Sequence, residues 1–398
     1  MKTFTPILLL ILISALANAQ VPKLYVQIVS HNEPSDSLEQ NLKYAKAKNN
    51  VLQLANIVDS KNAKWNLQTS DGFVMGARTD EIITTHNIFE TLAMPPFSDN
   101  IEIDPRSKNN LGRNIADQWY LLDSLGANPT TTVGGFIYYV CPPSSSLNID
   151  WWQYEDTLVG THYGNKVKFT LLSGAGSLPA HCNDLNDFGI FKPDTTTNFY
   201  NHNPARNLWC IGTGCAPVLD STTVEQDIID LIQGQVDSIQ TGLWPADKFY
   251  NTRIMTNQRD YGPAFFQKIS NVIDSLNKLP FTKFQWANLS ESLAAFNAWR
   301  LNTGMDSSQW LCGQAASVIN ENTSEKKSFF VIPNPSTGTF SILFNDNKTH
   351  KIELYDFMGK LLHYVAARNT SEFSISIFPN GLYFVKVDEK EFEKIVKE

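Results

Sequence analysis

The sequence predicts an α/β protein: a (β/α) barrel, seven-stranded or irregular, followed by a small all-β sandwich. Three observations carry that expectation. Strand-like and helix-like runs alternate from Lys23 to Leu301, the pattern of parallel strands joined by crossover helices. Polar residues gather where the strand-like runs end, which is where a barrel collects functional side chains. Near the end of the chain the pattern changes to apolar/polar alternation at period two, the mark of half-buried antiparallel strands.

Leu24 to Ser30 is apolar and β-branched enough for a buried strand, and it ends in His31-Asn32-Glu33-Pro34. Ser37 can cap a helix running to about Val58, with Leu38, Leu42, Ala45, Val51, Leu52, Ala55 and Val58 on or near one face. Ala63 to Gln68 reads as the next strand, Thr79 as the start of a helix, Ile101 to Asp104 as a strand, Asn114 to Leu125 as an amphipathic helix and Thr132 to Ile137 as a strand. Val167 to Leu172 is a further strand candidate. Asn183 to Cys215 is rich in Asn, Asp, Pro and Gly and is expected to be a long surface loop. Val224 to Gln240 has helical spacing, followed by a strand at Phe249 to Met255, a helix at Pro263 to Leu279, a strand at Thr282 to Trp286 and a helix at Glu291 to Leu301. An open doubly wound sheet would favour a Gly-rich phosphate loop after the first strand, and Ser30 to Pro34 has none, so the barrel is preferred.

Residues 314–328 form a polar link, expected to separate a 20–313 barrel-like domain from a 329–398 β domain. The latter opens with the turn chemistry of Pro333-Asn334-Pro335-Ser336-Thr337-Gly338 and continues in strand-like runs at Phe340–Phe344, Lys351–Asp356 and Leu382–Val387. Residues 1–19 have the physics of a signal peptide: Lys2, an apolar run from Ile7 to Ile13, and Ala17-Asn18-Ala19 as cleavage site. No later segment is apolar and long enough to span a membrane. Of the 398 residues 42% are hydrophobic and 18% charged, ordinary for a globular chain; the net charge of −8 and the lack of a basic cluster exclude nucleic acid as a partner. Export makes the five cysteines disulfide candidates, Cys210 with Cys215 and Cys141 with Cys182, leaving Cys312, although connectivity does not follow from sequence.

Candidate chemistry lies at the strand ends. His31 and Glu33 pair imidazole with carboxylate, which suits zinc or another divalent ion and equally suits general acid/base work; Asp104 is a third ligand or base. Gln68 and Asp71 are expected to line the same mouth, with Arg106 and Glu291 contacting substrate, Asn257, Asp260 and Asn288 at other strand ends, and His162 and His181 reaching in from loops. Trp151-Trp152-Gln153-Tyr154 and Trp286 offer flat apolar faces on which a sugar ring can stack.

Two resemblances add to this reading. Pro333 to Gly338, then Ile352-Glu353-Leu354-Tyr355-Asp356-Phe357-Met358-Gly359-Lys360, Pro379-Asn380-Gly381-Leu382-Tyr383-Phe384-Val385-Lys386-Val387 and Lys394-Ile395-Val396-Lys397 closely resemble the type A C-terminal sorting domain of the type IX secretion system of Bacteroidetes. The resemblance implies a β-sandwich recognised by the translocon and its sortase machinery, with Asn334, Pro335, Gly338, Gly359 and Gly381 as sorting positions, and delivery to the medium or the outer-membrane surface. The first region, through His31-Asn32-Glu33, Asp104 and Phe284-Gln285-Trp286-Ala287-Asn288, is similar to the glycoside hydrolase/deacetylase barrels. That implies a carbohydrate-active hydrolase or deacetylase with a divalent metal held by an Asp and two His. This chain lacks an HxxxH pair and carries Arg106 and Lys108 after Asp104-Pro105, which favours the alternative of a non-catalytic glycan-binding or surface protein on a degenerate barrel.

Overall fold

A computed structural model describes residues 22–397 except 34–35, 108–110, 140–149, 175–183, 186, 216, 312–328, 333–335, 345, 347, 358, 369 and 389–390. The signal-peptide segment, the 314–328 link, Lys108, Asn334, Pro335 and His181 therefore lie outside the described residues, as do Cys141, Cys182 and Cys312.

In chain order the strands of the first region are β1 (Leu24–His31), β2 (Trp65–Thr69), β3 (Ile101–Pro105), β4 (Thr132–Phe136), β5 (Thr157–Val159), β6 (Lys166–Lys168), β7 (Leu171–Gly174), β8 (Asp187–Phe191), β9 (Trp209–Ile211), β10 (Val218–Leu219), β11 (Tyr250–Asn257), β12 (Phe284–Trp286) and β13 (Ser308–Leu311). The helices are α1 (Asn41–Ser60), α2 (Asp71–Thr84), α3 (Ile88–Leu92), α4 (Ile115–Ser124), α5 (Glu225–Gln240), α6 (Pro263–Leu276) and α7 (Leu289–Thr303). A parallel sheet runs β10-β11-β1-β2-β3. Strand β1 pairs β11 along its whole length, while its other edge pairs β12 through Leu24–Val26 and then β2 through Ile28–His31. A second sheet runs β13-β8-β9-β7-β4; β4, β7 and β9 are parallel, whereas β8 is antiparallel to both its neighbours.

The two sheets meet at a parallel bridge between Arg106, just past β3, and Gly134 of β4, with Ser107 N–H donating to Gly134 O at 2.8 Å. The approach is tight enough to require glycine: a Cβ on Gly134 would lie 2.9 Å from Pro105 O and from Gln68 Cδ. Farther round, the Asn251 side chain of β11 accepts from Gly189 N–H of β8 at 2.6 Å and donates to Gly212 O, just past β9, at 2.5 Å.

Period-two alternation decides what each face sees. Leu24, Val26 and Ile28 of β1, Trp65 and Leu67 of β2, Ile101 and Ile103 of β3, and Tyr250 and Ile254 of β11 share one apolar core with Val51, Leu54 and Val58 of α1 and Ile269, Val272 and Ile273 of α6. Alternate positions, Gln27, Asn66, Gln68, Asp104, Asn251 and Arg253, turn polar groups to the other face and are equally buried. Burying one leucine or isoleucine contributes about 2 kcal/mol, so the helix-facing side supplies the stability. Each polar group on the opposite face needs a partner.

Several boundaries differ from expectation. Helix α1 starts at Asn41 rather than after Ser37, because Ser37 has φ 53° and cannot lead directly into helix. Helix α2 begins at Asp71, directly after β2, rather than at Thr79. The segment 183–215, expected as a loop, contains β8 and β9, whose cores Phe188, Ile190 and Ile211 are fully buried. Cys210 is a free, buried thiol on β9 and Cys215 is disulfide-bonded, which corrects the expected Cys210–Cys215 pair. Asp117 in the first turn of α4 accepts from Thr161 N–H and Oγ1–H and from His162 and Tyr163 N–H. It thereby fixes His162, half exposed, beside the first turn of α4.

The last region contains β14 (Phe329–Ile332), β15 (Thr339–Phe344), β16 (Thr349–Asp356), β17 (Leu361–Arg368), β18 (Thr370–Ser374), β19 (Gly381–Val387) and β20 (Glu391–Lys397). They form antiparallel sheets β14-β15-β18 and β17-β16-β19-β20. Phe340, Ile342 and Phe373 of the first sheet and Ile352, Leu354, Val385 and Ile395 of the second enclose one core, as expected of a sandwich. The turn before β15 is fastened to the last strand: Ser336 N–H donates to Val396 O at 2.7 Å, and Ser336 Oγ accepts from Gly338 N–H at 3.1 Å. Gly338, Gly359 and Gly381 have φ of 136°, 79° and 150°, values that L side chains rarely adopt.

Buried His350 of β16 stacks on Phe344 with ring centroids 4.2 Å apart, while Nδ1 lies 2.6 Å from Asp388 and Nε2 2.7 Å from Asp346. Burial alone would hold its pKa down, but the hydrogen bonds to Asp346 and Asp388 outweigh this and raise it. A raised histidine pKa contributes stability that is present below about pH 6.5 and is lost as pH rises through the folded value. Calorimetry of the full chain should therefore show the transition of residues 329–397 moving to lower temperature between pH 6 and pH 9. In His350→Gln the shift over that window should be reduced; an undiminished shift would exclude this imidazolium as its cause.

Candidate functional site

The carboxyl ends of β1, β2 and β3 bring together most of the residues expected at a mouth. At their centre is Gln68, fully buried on the inward face of β2. Its Oε1 accepts Gly135 N–H at 2.7 Å and lies 2.9 Å from His31 Nε2. Its Nε2 donates to Ser173 Oγ of β7 at 2.9 Å and lies 3.4 Å from Asp104 Oδ2. A backbone N–H can only donate, so the Gly135 contact fixes Oε1 as the acceptor and makes His31 Nε2 the proton-bearing nitrogen.

Asp104 is sealed beneath this amide. It accepts from Asn66 Nδ2 at 3.1 Å and Thr130 Oγ1 at 2.5 Å, and burial followed by the nearby Glu102 raises its pKa well above the carboxylate range. Glu33 is held from the opposite side. Arg106 Nη1 and Nη2 donate to its two oxygens at 2.8 and 2.9 Å, and Nη1 also reaches Asn32 O at 2.7 Å. Such a two-pronged pair is a strong, direction-fixing contact. Gly135, at φ 61°, makes room for it, since a Cβ there would stand 2.7 Å from Arg106 Nε. Asp71 opens α2 next to these groups and accepts from Leu111 N–H at 3.0 Å.

The expected metal set of His31, Glu33 and Asp104 is corrected by these bonds. His31 presents a protonated Nε2, Glu33 is spanned by a guanidinium, and Asp104 is closed in by amide and hydroxyl donors; among the described residues no group of three or more His, Cys, Asp or Glu is arranged to hold a metal ion. The donor set does not fit zinc. Two substrate-binding candidates also lie elsewhere. Trp286 is packed in the core, donates Nε1–H to Asn277 at 2.8 Å and pairs with the first half of β1. Glu291 caps α7 through Asn288 N–H and pairs with Lys64, which precedes β2, so it sits at the opposite end of the strands from His31. Trp151 is wholly buried as well, and of the aromatic residues in that run only Trp152 is substantially exposed.

Sequence reasoning missed a second polar cluster. Asp184 and Asp187, Tyr138, Tyr200 and Thr213 line a cleft at the carboxyl ends of β4, β7 and β9. Burial raises the carboxyls of Asp184 and Asp187 to about 7. Arg253, below them, donates to Ser173 Oγ, Gly174 O, Ile211 O and Gly212 O, and burial lowers its pKa to about 10. The available signal was Asp187-Phe188-Gly189-Ile190-Phe191, a strand-like run hidden among turn-forming residues.

Residues 330–398 match the model of the secretion system C-terminal sorting domain family. The chain is thus exported cargo of the type IX secretion machinery, secreted or attached at the cell surface. Among solved structures, a Mycobacterium smegmatis protein assigned as a polysaccharide deacetylase aligns at TM-score 0.43 and 11% identity, over 70% of this chain and 92% of that one. The 4-alpha-glucanotransferase of Thermococcus litoralis aligns at TM-score 0.39 and 10% identity, over 68% and 38%. PorU of Porphyromonas gingivalis aligns at TM-score 0.14 and 20% identity, over 18% and 9%. A comparison with curated protein sequences finds no match. No helix among the described residues is long and apolar enough to cross a membrane.

Because Arg106 is almost wholly buried and Glu33 largely so, Arg106→Ala should lower unfolding stability by about 3 kcal/mol, leaving the carboxylate without its main partner. Glu33→Gln in that background should recover part of the loss. Urea midpoints of the two variants check this, and equal midpoints would show that the pair carries little energy.

Proposed function

We propose that the exported chain is a carbohydrate-binding protein of the cell surface or its surroundings, built on a degenerate barrel and without metal-dependent catalysis at the mouth. The observation that supports it most is the Arg106–Glu33 pair. The carboxylate that would otherwise bind a cation or activate water is instead clamped by a cation, and the neighbouring imidazole donates its Nε2–H to Gln68 Oε1 in a hydrogen bond. A floor of fixed donors and acceptors of this kind recognises hydroxyl groups by position, with the partly exposed Glu33 and Asn257 as contact residues and the buried Arg106 and His31 as orienting groups.

The architecture behind this reading is one continuous wall. The Arg106–Gly134 bridge on one side and the Asn251 contacts on the other support treating both sheets as a single curled barrel with its mouth at the carboxyl ends of β1 to β4. The sorting region then serves delivery, through the translocon and its sortase machinery.

The test is a panel of oligosaccharides presented to the mature protein with and without a chelator. Retained glycans whose binding is indifferent to chelator, weakened at least tenfold by Arg106→Met and accompanied by no release of acetate or reducing ends, are the expected result. Stoichiometric zinc in the purified protein together with chelator-sensitive product release would overturn it in favour of the hydrolase or deacetylase reading.

A further inference from the structure

We propose that the cleft at the carboxyl ends of β4, β7 and β9 is a receptor for a primary ammonium group, separate from the His31 mouth. The cavity is small, about 10 Å³, room for one water-sized group. Its polar lining is acidic. Asp184 and Asp187 are 1% and 3% exposed, and Asp187 Oδ2 takes no hydrogen bond among the described residues.

The surroundings explain why a cation is wanted. Asp184 accepts Tyr139 N–H at 2.8 Å and Tyr138 N–H at 3.2 Å, with Tyr200 Oη at 3.4 Å, so it is oriented but keeps free lone pairs. The Arg253 hydrogen bonds all go to Ser173 Oγ and to backbone carbonyls, none to Asp187. Asp187 therefore has the Arg253 guanidinium nearby without a hydrogen bond to it. Tyr138, Tyr200 and the Cys210 thiol complete the titratable surroundings, and burial holds all three in their neutral forms. An ammonium group is the size of a water, has three N–H donors, and supplies the missing positive charge in a place where burial strengthens its attraction to a carboxylate.

The experiment is an NMR titration of the full mature chain with methylammonium chloride and, separately, with methanol, which has the same size and an O–H donor but no charge. Saturable methylammonium binding, with methanol at least tenfold weaker, is expected; equal response to both, or no saturation by methylammonium, overturns the proposal without any variant. Asp187→Asn, which keeps shape and removes charge, should weaken methylammonium at least tenfold, and an unchanged affinity in a folded variant also overturns it. Glucosamine and lysine, tried next, distinguish a sugar amine from a peptide amine as the source, whichever binds more tightly.

Discussion

One side-chain amide, that of Gln68, sits at the centre of the contacts that join the two sheets. Gln68 of β2 touches His31 of β1, Asp104 of β3, Gly135 of β4 and Ser173 of β7, so the hydrogen bonds of one residue span five strands. Such a group is costly in a protein interior unless every donor and acceptor is used, and here both amide atoms are used twice. The interior network also extends through Ser173 to Arg253 of β11. Its hydrogen bonds tie the two sheets together, and its cost is borne by the apolar faces that pack on the helices.

That constraint separates positioning from chemistry at the mouth. His31, Glu33, Gln68, Asp104 and Arg106 converge as strand ends of parallel strands must. Among the described residues convergence brought no three metal-ligating groups together, because each group has a complementary neighbour. Arg106 is the decisive one: its fork fits a carboxylate in a way that a lysine's single point charge would not.

Much of the architecture was legible in the sequence because periodicity records burial. Leu24 to Ser30 was legible from its apolar, β-branched composition, Val224 to Gln240 from its helical spacing, and the sorting region from the order of its motifs. The failures were of two physical kinds. Strands β8 and β9 are short and set among Asn, Asp, Pro and Gly, so turn chemistry masked their cores; with them went Asp184 and Asp187. Trp286 and Glu291 were misplaced for another reason. Sequence shows that they flank a strand end, whereas β12 pairs only with the first half of β1, which carries that strand end to the other side of the sheet.

The fastening of Ser336 to Val396 and Lys397 joins the two ends of the C-terminal unit. Its opening turn and its closing strand are partners, separated by nearly the whole length of the unit. Closing so long a loop is an entropic cost. The unit is therefore sealed by its ends, like a parcel whose final fold carries the address.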